Sequence, residues 1–119
     1  MRSREAALRV RHDLGKYVHL EARWLGEDAI EADYREALRT DLLRTRRGPA
    51  GDEDCAALWA TLRPTVSAFD THEIDGLMAG IAGRMRSLDS LGLAALRELA
   101  REAHMLGEAC RRLVEQAED

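Results

Sequence analysis

Between Leu96 and Ala117 the apolar residues recur at steps of three and four: Leu96, Leu99, Ala103, Leu106, Cys110, Leu113 and Ala117. An α-helix turns once in about 3.6 residues, so this alternation holds all seven on one stripe. A half-buried strand needs an apolar residue at every second position, and the segment does not offer that. The stripe therefore requires a helix from about Ser90 that buries one face over about three heptads. Such a face must be covered, either by the rest of this chain or by a second copy of it.

The rest of the chain reads the same way. Leu and Ala dominate the apolar residues, β-branched residues are few and only two prolines occur, all of which favours helix. A first helix is expected from Ser3 to Leu25, with Ala7, Val10, Leu14, Tyr17, Val18 and Leu25 inward and Ser3 as N-cap. Glu21 falls within that stripe and conflicts with it. A second helix is expected from Asp28 to Arg46, with Ile30, Tyr34, Ala37, Leu38 and Leu42 inward. The run GPAGDED, with Gly48, Pro49 and Gly51, breaks the pattern as a loop. A third helix begins near Asp52 and buries Cys55, Leu58, Trp59, Leu62, Val66 and Phe69, with Pro64 kinking it or ending it near Arg63. A fourth runs from Thr71 to Leu88 over Ile74, Leu77, Met78, Ile81 and Met85. Gly76, Gly80 and Gly83 sit inside it at about 1 kcal/mol each relative to Ala, which predicts close approach of another helix on that flank.

These segments predict one all-α domain over residues 1–119, a small antiparallel helical bundle of four to five helices with short connections. The five aromatic positions, Trp24, Trp59, Tyr17, Tyr34 and Phe69, are expected to be packing anchors. A formal charge of −4 with interspersed signs argues against nonspecific nucleic-acid binding. No window approaches the ~20 apolar residues of a membrane span, and MRSREAALRV has no signal-peptide core. A cytoplasmic protein is expected. Cys55 and Cys110 are far apart and on apolar faces, which suits two buried free thiols.

The chemistry worth testing lies in RVRHDLGKYVHLEARWLG, residues 9–26. With the apolar stripe centred near Leu14, His12, Lys16, His19 and Arg23 form a polar ridge on the opposite side, at i, i+4, i+7 and i+11. Asp13 lies on its flank. A neutral imidazole is a good nucleophile near neutral pH, its unperturbed pKa being ~6.5, and a carboxylate beside it can orient the ring or accept its proton. An inert, solvated helix face would present the same residues.

Residues RHDLGKYVHLEARWLG resemble the H-box helix of histidine kinase dimerisation and phosphotransfer domains, and YREALRTDLLRTR resembles their second helix. The resemblance covers residues 5–46. It implies that His12 accepts a phosphoryl group, that Asp13 is the acid beside it, and that a response regulator receiver domain is the partner. Lys16 stands where that family usually carries Asn, Thr or Pro, and no ATP-binding boxes follow, so a transfer module is implied, not a complete kinase. HDLGK is also similar to the His-Asp pair and lysine of HD-domain phosphohydrolases. That family needs a further metal-binding His on an earlier helix, for which His12 lies too near the start, so a degenerate relative is the most that string implies.

Other histidines are expected to be structural or idle. His72 in DTHEIDG sits in an acidic first turn that suits the helix dipole, and no second His follows at zinc-protease spacing. His104 in REAHMLGEACRRL resembles the histidine helix of Hpt domains but lacks their Lys-Gly pair, and falls on the outer side of the last stripe. No P-loop, dinucleotide fingerprint or nucleophile elbow is present, and no cofactor is expected. Phosphotransfer through His12 is the leading expectation. The alternative is a module without chemistry that binds protein through the His12 ridge or the 96–117 seam, or pairs with its own copy through the first or last helix.

Overall fold

The computed structural model of the chain describes residues 2–18, 33, 35, 36 and 55–117, the side chains of Arg2 and Lys16 excepted. The described residues are helical nearly throughout and contain no strand; the protein is all-α. The elements are α1 (Arg2–Asp13), α2 (Gly15–Val18), α3 (Cys55–Leu62), a 3-10 turn (Arg63–Val66), α4 (His72–Arg86), a second 3-10 turn (Leu88–Ser90) and α5 (Leu93–Gln116). Most of the second helix expected between Asp28 and Arg46, the GPAGDED loop before Cys55, and Trp24, Tyr34 and Glu21 lie outside the described residues. Asp33, Arg35 and Glu36 are helical.

Helix α5 is the element on which the others pack. All seven residues of the seam are buried, and Ala100, Ala109 and Val114 are buried beside them. That widens the stripe beyond a two-position seam, as befits a helix covered on more than one side. The cover comes from this chain: α1 and α2 on one flank, α4 on the other. Arg4 Nη1 donates to the Ala117 carbonyl at 3.4 Å, and Val18 lies against Gly107, so α1 and α2 run opposite to α5. Pairing of Glu73 with Arg112 and of Arg84 with Glu102 shows that α4 also runs opposite to α5. The apolar seam of 96–117 is thus buried within this chain.

Helix α5 begins at Leu93, three residues later than Ser90, because Ser90 is committed elsewhere. Its N–H and its hydroxyl both donate to the Ser87 carbonyl, at 2.8 and 3.0 Å, and close the 3-10 turn. Serine commonly competes with helix in this way. Arg35 donates to the Leu88 carbonyl at 3.1 Å and to that of Leu91, bracing the same connection.

The expected single first helix is interrupted at Leu14. The Tyr17 N–H reaches the Leu14 carbonyl at 3.0 Å, an i to i+3 bond that tightens the chain before α2. Gly15, a weak helix former, follows the break, and a Cβ there would meet nothing, so packing does not demand the glycine. The core face survives the interruption: Ala7, Val10, Leu14 and Tyr17 are all buried.

Pro64 ends α3 as its chemistry requires. The α-helix stops at Leu62 and continues as the 3-10 turn, with Pro64 in its first positions, where a missing N–H costs little. Cys55, Trp59, Leu62 and Val66 are buried, and Leu58 and Phe69 pack against them. In α4, Ile74, Leu77, Met78 and Ile81 face inward. The three glycines of α4 are not alike. At Gly76 and Gly83 an added Cβ would meet nothing; at Gly80 it would collide with the Glu102 carboxylate of α5. The close approach expected along the whole flank occurs at one glycine, and against a side chain.

Candidate functional site

His12 sits in the last turn of α1 because the core stripe places it there. Val10 and Leu14, two residues to either side, are buried, so the position between them turns outward. The His12 side chain is 66% exposed and Asp13 is 28% exposed, on the flank between water and core. His12 Nδ1 lies 3.1 Å from Asp13 Oδ1. The other carboxylate oxygen, Oδ2, lies 3.5 Å from Arg9 Nε, one helical turn back. Asp13 is therefore shared between a histidine and an arginine.

This contact determines which ring nitrogen is free. A carboxylate only accepts, so Nδ1 is the donor, and in the neutral ring the lone pair resides on Nε2. Nε2 has no hydrogen-bond partner among the described residues. The arrangement offers a water-facing imidazole lone pair with an acceptor at the back of the ring. Chemically it can take an electrophile at Nε2 and relieve the resulting positive charge against Asp13.

Of the expected site residues, His12 and Asp13 are brought together. Lys16 has its backbone in α2, one turn on from His12, while its side chain lies outside the described residues, as do His19 and Arg23. The rest of the ridge is therefore not part of the described geometry. No group of three His, Cys, Asp or Glu among the described residues is placed to hold a metal ion.

The other two described histidines, His72 and His104, are exposed. The His72 backbone N–H donates to Asp70 Oδ1 at 3.0 Å, which satisfies one backbone donor at the start of α4. His104 Nε2 pairs with Glu108 at 2.8 Å on the outer face of α5, and Glu108 also approaches Arg112. The Cys55 and Cys110 thiols are both buried. Burial pushes the Cys110 thiol up to about 11, against a smaller opposing effect of the Arg11 charge, so it is a poor nucleophile.

One well-connected polar group is not advertised by the sequence. Asp75 in α4 accepts from Trp59 Nε1 at 2.7 Å and lies 3.1 Å from Arg63 Nε, with the Thr71 hydroxyl at 3.5 Å. Trp59 and Thr71 are buried, so this carboxylate serves the joint between α3 and α4. A buried Trp N–H needing an acceptor was the available signal, but its partner lies sixteen residues away and spacing alone does not select it.

No family model, no curated protein and no solved structure matches this chain. Among the described residues no helix is long and apolar enough to cross a membrane.

Proposed function

We propose that this chain is a histidine phosphotransfer-like signalling module of the cytoplasm, a small antiparallel bundle of four to five helices that carries a phosphoryl group on His12. The supporting observation is the orientation of the ring: Nδ1 engaged by Asp13, Nε2 turned to water on the side of α1 away from the core. The Nε2 lone pair attacks the phosphorus of an acyl phosphate on the receiver domain of a response regulator. A P–N bond forms, the P–O bond breaks, and the receiver carboxylate leaves with the bonding pair. Asp13 holds the Nδ1 proton and balances the charge of the phosphorylated ring. The reverse sequence returns the group. No metal or cofactor of this chain enters the step.

One observation favours a second reading, protein binding without chemistry. Leu8 is 42% exposed and lies one turn before His12 on the same face of α1. An apolar side chain beside an exposed histidine suits docking of a protein, either a receiver or a partner that never exchanges phosphate.

The experiment is direct. Incubation with a phosphorylated receiver domain or an active histidine kinase should place acid-labile label on the wild-type chain and none on His12→Gln. Unlabelled wild-type protein, or equal label on the variant, refutes phosphotransfer. Binding of the receiver without label then supports docking alone.

A further inference from the structure

Phosphoacceptor chemistry at His12 needs the ring and its carboxylate, yet a third side chain completes the arrangement. Asp13 lies about 100° around the helix from His12 and about 40° from Arg9, and its carboxylate reaches both. Each neighbour takes a different oxygen: Oδ1 faces His12 Nδ1 at 3.1 Å, and Oδ2 faces Arg9 Nε at 3.5 Å. A carboxylate held at one oxygen can still swing about its Cβ–Cγ bond. Held at both, it keeps its plane, and the oxygen facing the imidazole keeps its direction. The carboxylate is also the least hydrated of the three groups, at 28% exposed against 76% for Arg9 and 66% for His12.

We propose that Arg9 is a positioning residue for His12: by holding Oδ2 of Asp13 it keeps Oδ1 on the Nδ1 hydrogen, and so keeps the ring in the tautomer whose Nε2 carries the lone pair. Free imidazole of histidine in water favours the opposite tautomer, with hydrogen on Nε2, so the bias must come from the carboxylate and from whatever fixes it. The inference rests on the reading of His12 as the reacting group. The tautomer itself is a ground-state property of the chain and needs no phosphoryl donor to be measured.

The test is long-range ¹H–¹⁵N NMR of the His12 ring in uniformly labelled full chain, at a pH where the ring is neutral. In wild type, hydrogen should reside mainly on Nδ1. In Arg9→Gln the ratio of the Nδ1–H to the Nε2–H form should fall about twofold, the effect expected of one exposed i,i+4 ion pair. Arg9→Lys should recover part of the bias, and Asp13→Asn should abolish it. Equal helical circular dichroism across the variants separates this effect from loss of α1. A ratio unchanged in Arg9→Gln, or wild-type hydrogen mainly on Nε2, overturns the proposal. The tautomer bias in a chain that takes no label would leave the role of Arg9 standing and remove the phosphoacceptor reading. Label on His12 with a ratio indifferent to Arg9 would do the reverse.

Discussion

Replacing Asp75 by alanine should be among the more damaging single changes available on the surface of this protein. The carboxylate is about one-third exposed, yet it serves a donor on a buried side chain. Trp59 is 7% exposed and its indole N–H has Asp75 Oδ1 at 2.7 Å. Stranding that donor costs about 1–3 kcal/mol. The Arg63 partner is 61% exposed, so its ion pair adds at most about 1 kcal/mol. Loss of a negative charge from the first turn of α4 costs a further ~0.3–1 kcal/mol. Together these give about 1–5 kcal/mol, or a fall in Tm of about 5–20 °C for a chain of 119 residues. Urea denaturation of wild type, Asp75→Ala, Trp59→Phe and the double variant isolates the indole contribution. In the Trp59→Phe background, which has no N–H to strand, Asp75→Ala should cost about 1–2 kcal/mol less. Destabilisation below about 0.5 kcal/mol, or a cycle with zero coupling, would refute the claim that Asp75 holds α3 to α4.

Two glycine substitutions should differ in sign. Gly83→Ala meets no neighbour and should stabilise by about 0.5–1 kcal/mol, whereas Gly107→Ala drives a Cβ to 2.9 Å from Val18 Cγ1 and should gain nothing or destabilise by about 1–2 kcal/mol in thermal unfolding. Cys110 should resist a thiol reagent at pH 8 in the native state, since a thiol at about 11 holds about a hundredfold less thiolate than one at 9.0. Denaturation should release it. Because the folded chain keeps that proton to higher pH than the unfolded chain does, this group's contribution to stability is full below pH 9 and declines as pH rises through about 11, a trend that Cys110→Ala should lack in urea titrations.

Particular residues mark how much could be read from order alone. Every position of the 96–117 stripe is buried, because a helical period projects directly onto one face of a helix. Pro64 was legible for a similar reason: its missing N–H acts on its own turn. The outward placement of His12 and its neighbour Asp13 likewise followed from helical rotation. The start of α5 was misplaced because Ser90 has two local uses, helix cap and turn closure, and only the three-dimensional path of Ser87 to Leu91 chooses between them. Gly76, Gly80 and Gly83 look equivalent in sequence and are not, since only Gly80 meets a residue of α5.

A local rule of 3.6 residues per turn is enough for the buried faces of α1, α3, α4 and α5 and for the water-facing position of His12, but not for the break at Leu14 or the start of α5. Contacts between helices, not helical period, settle what covers α5. The packing of separate helices also brings Asp75 to Trp59 across sixteen residues, whereas Asp13, Arg9 and His12 meet within one helix. A helical period says which way a side chain points, while hydrogen-bond partners depend on where separate helices come to rest and on which rotamer the packing leaves open.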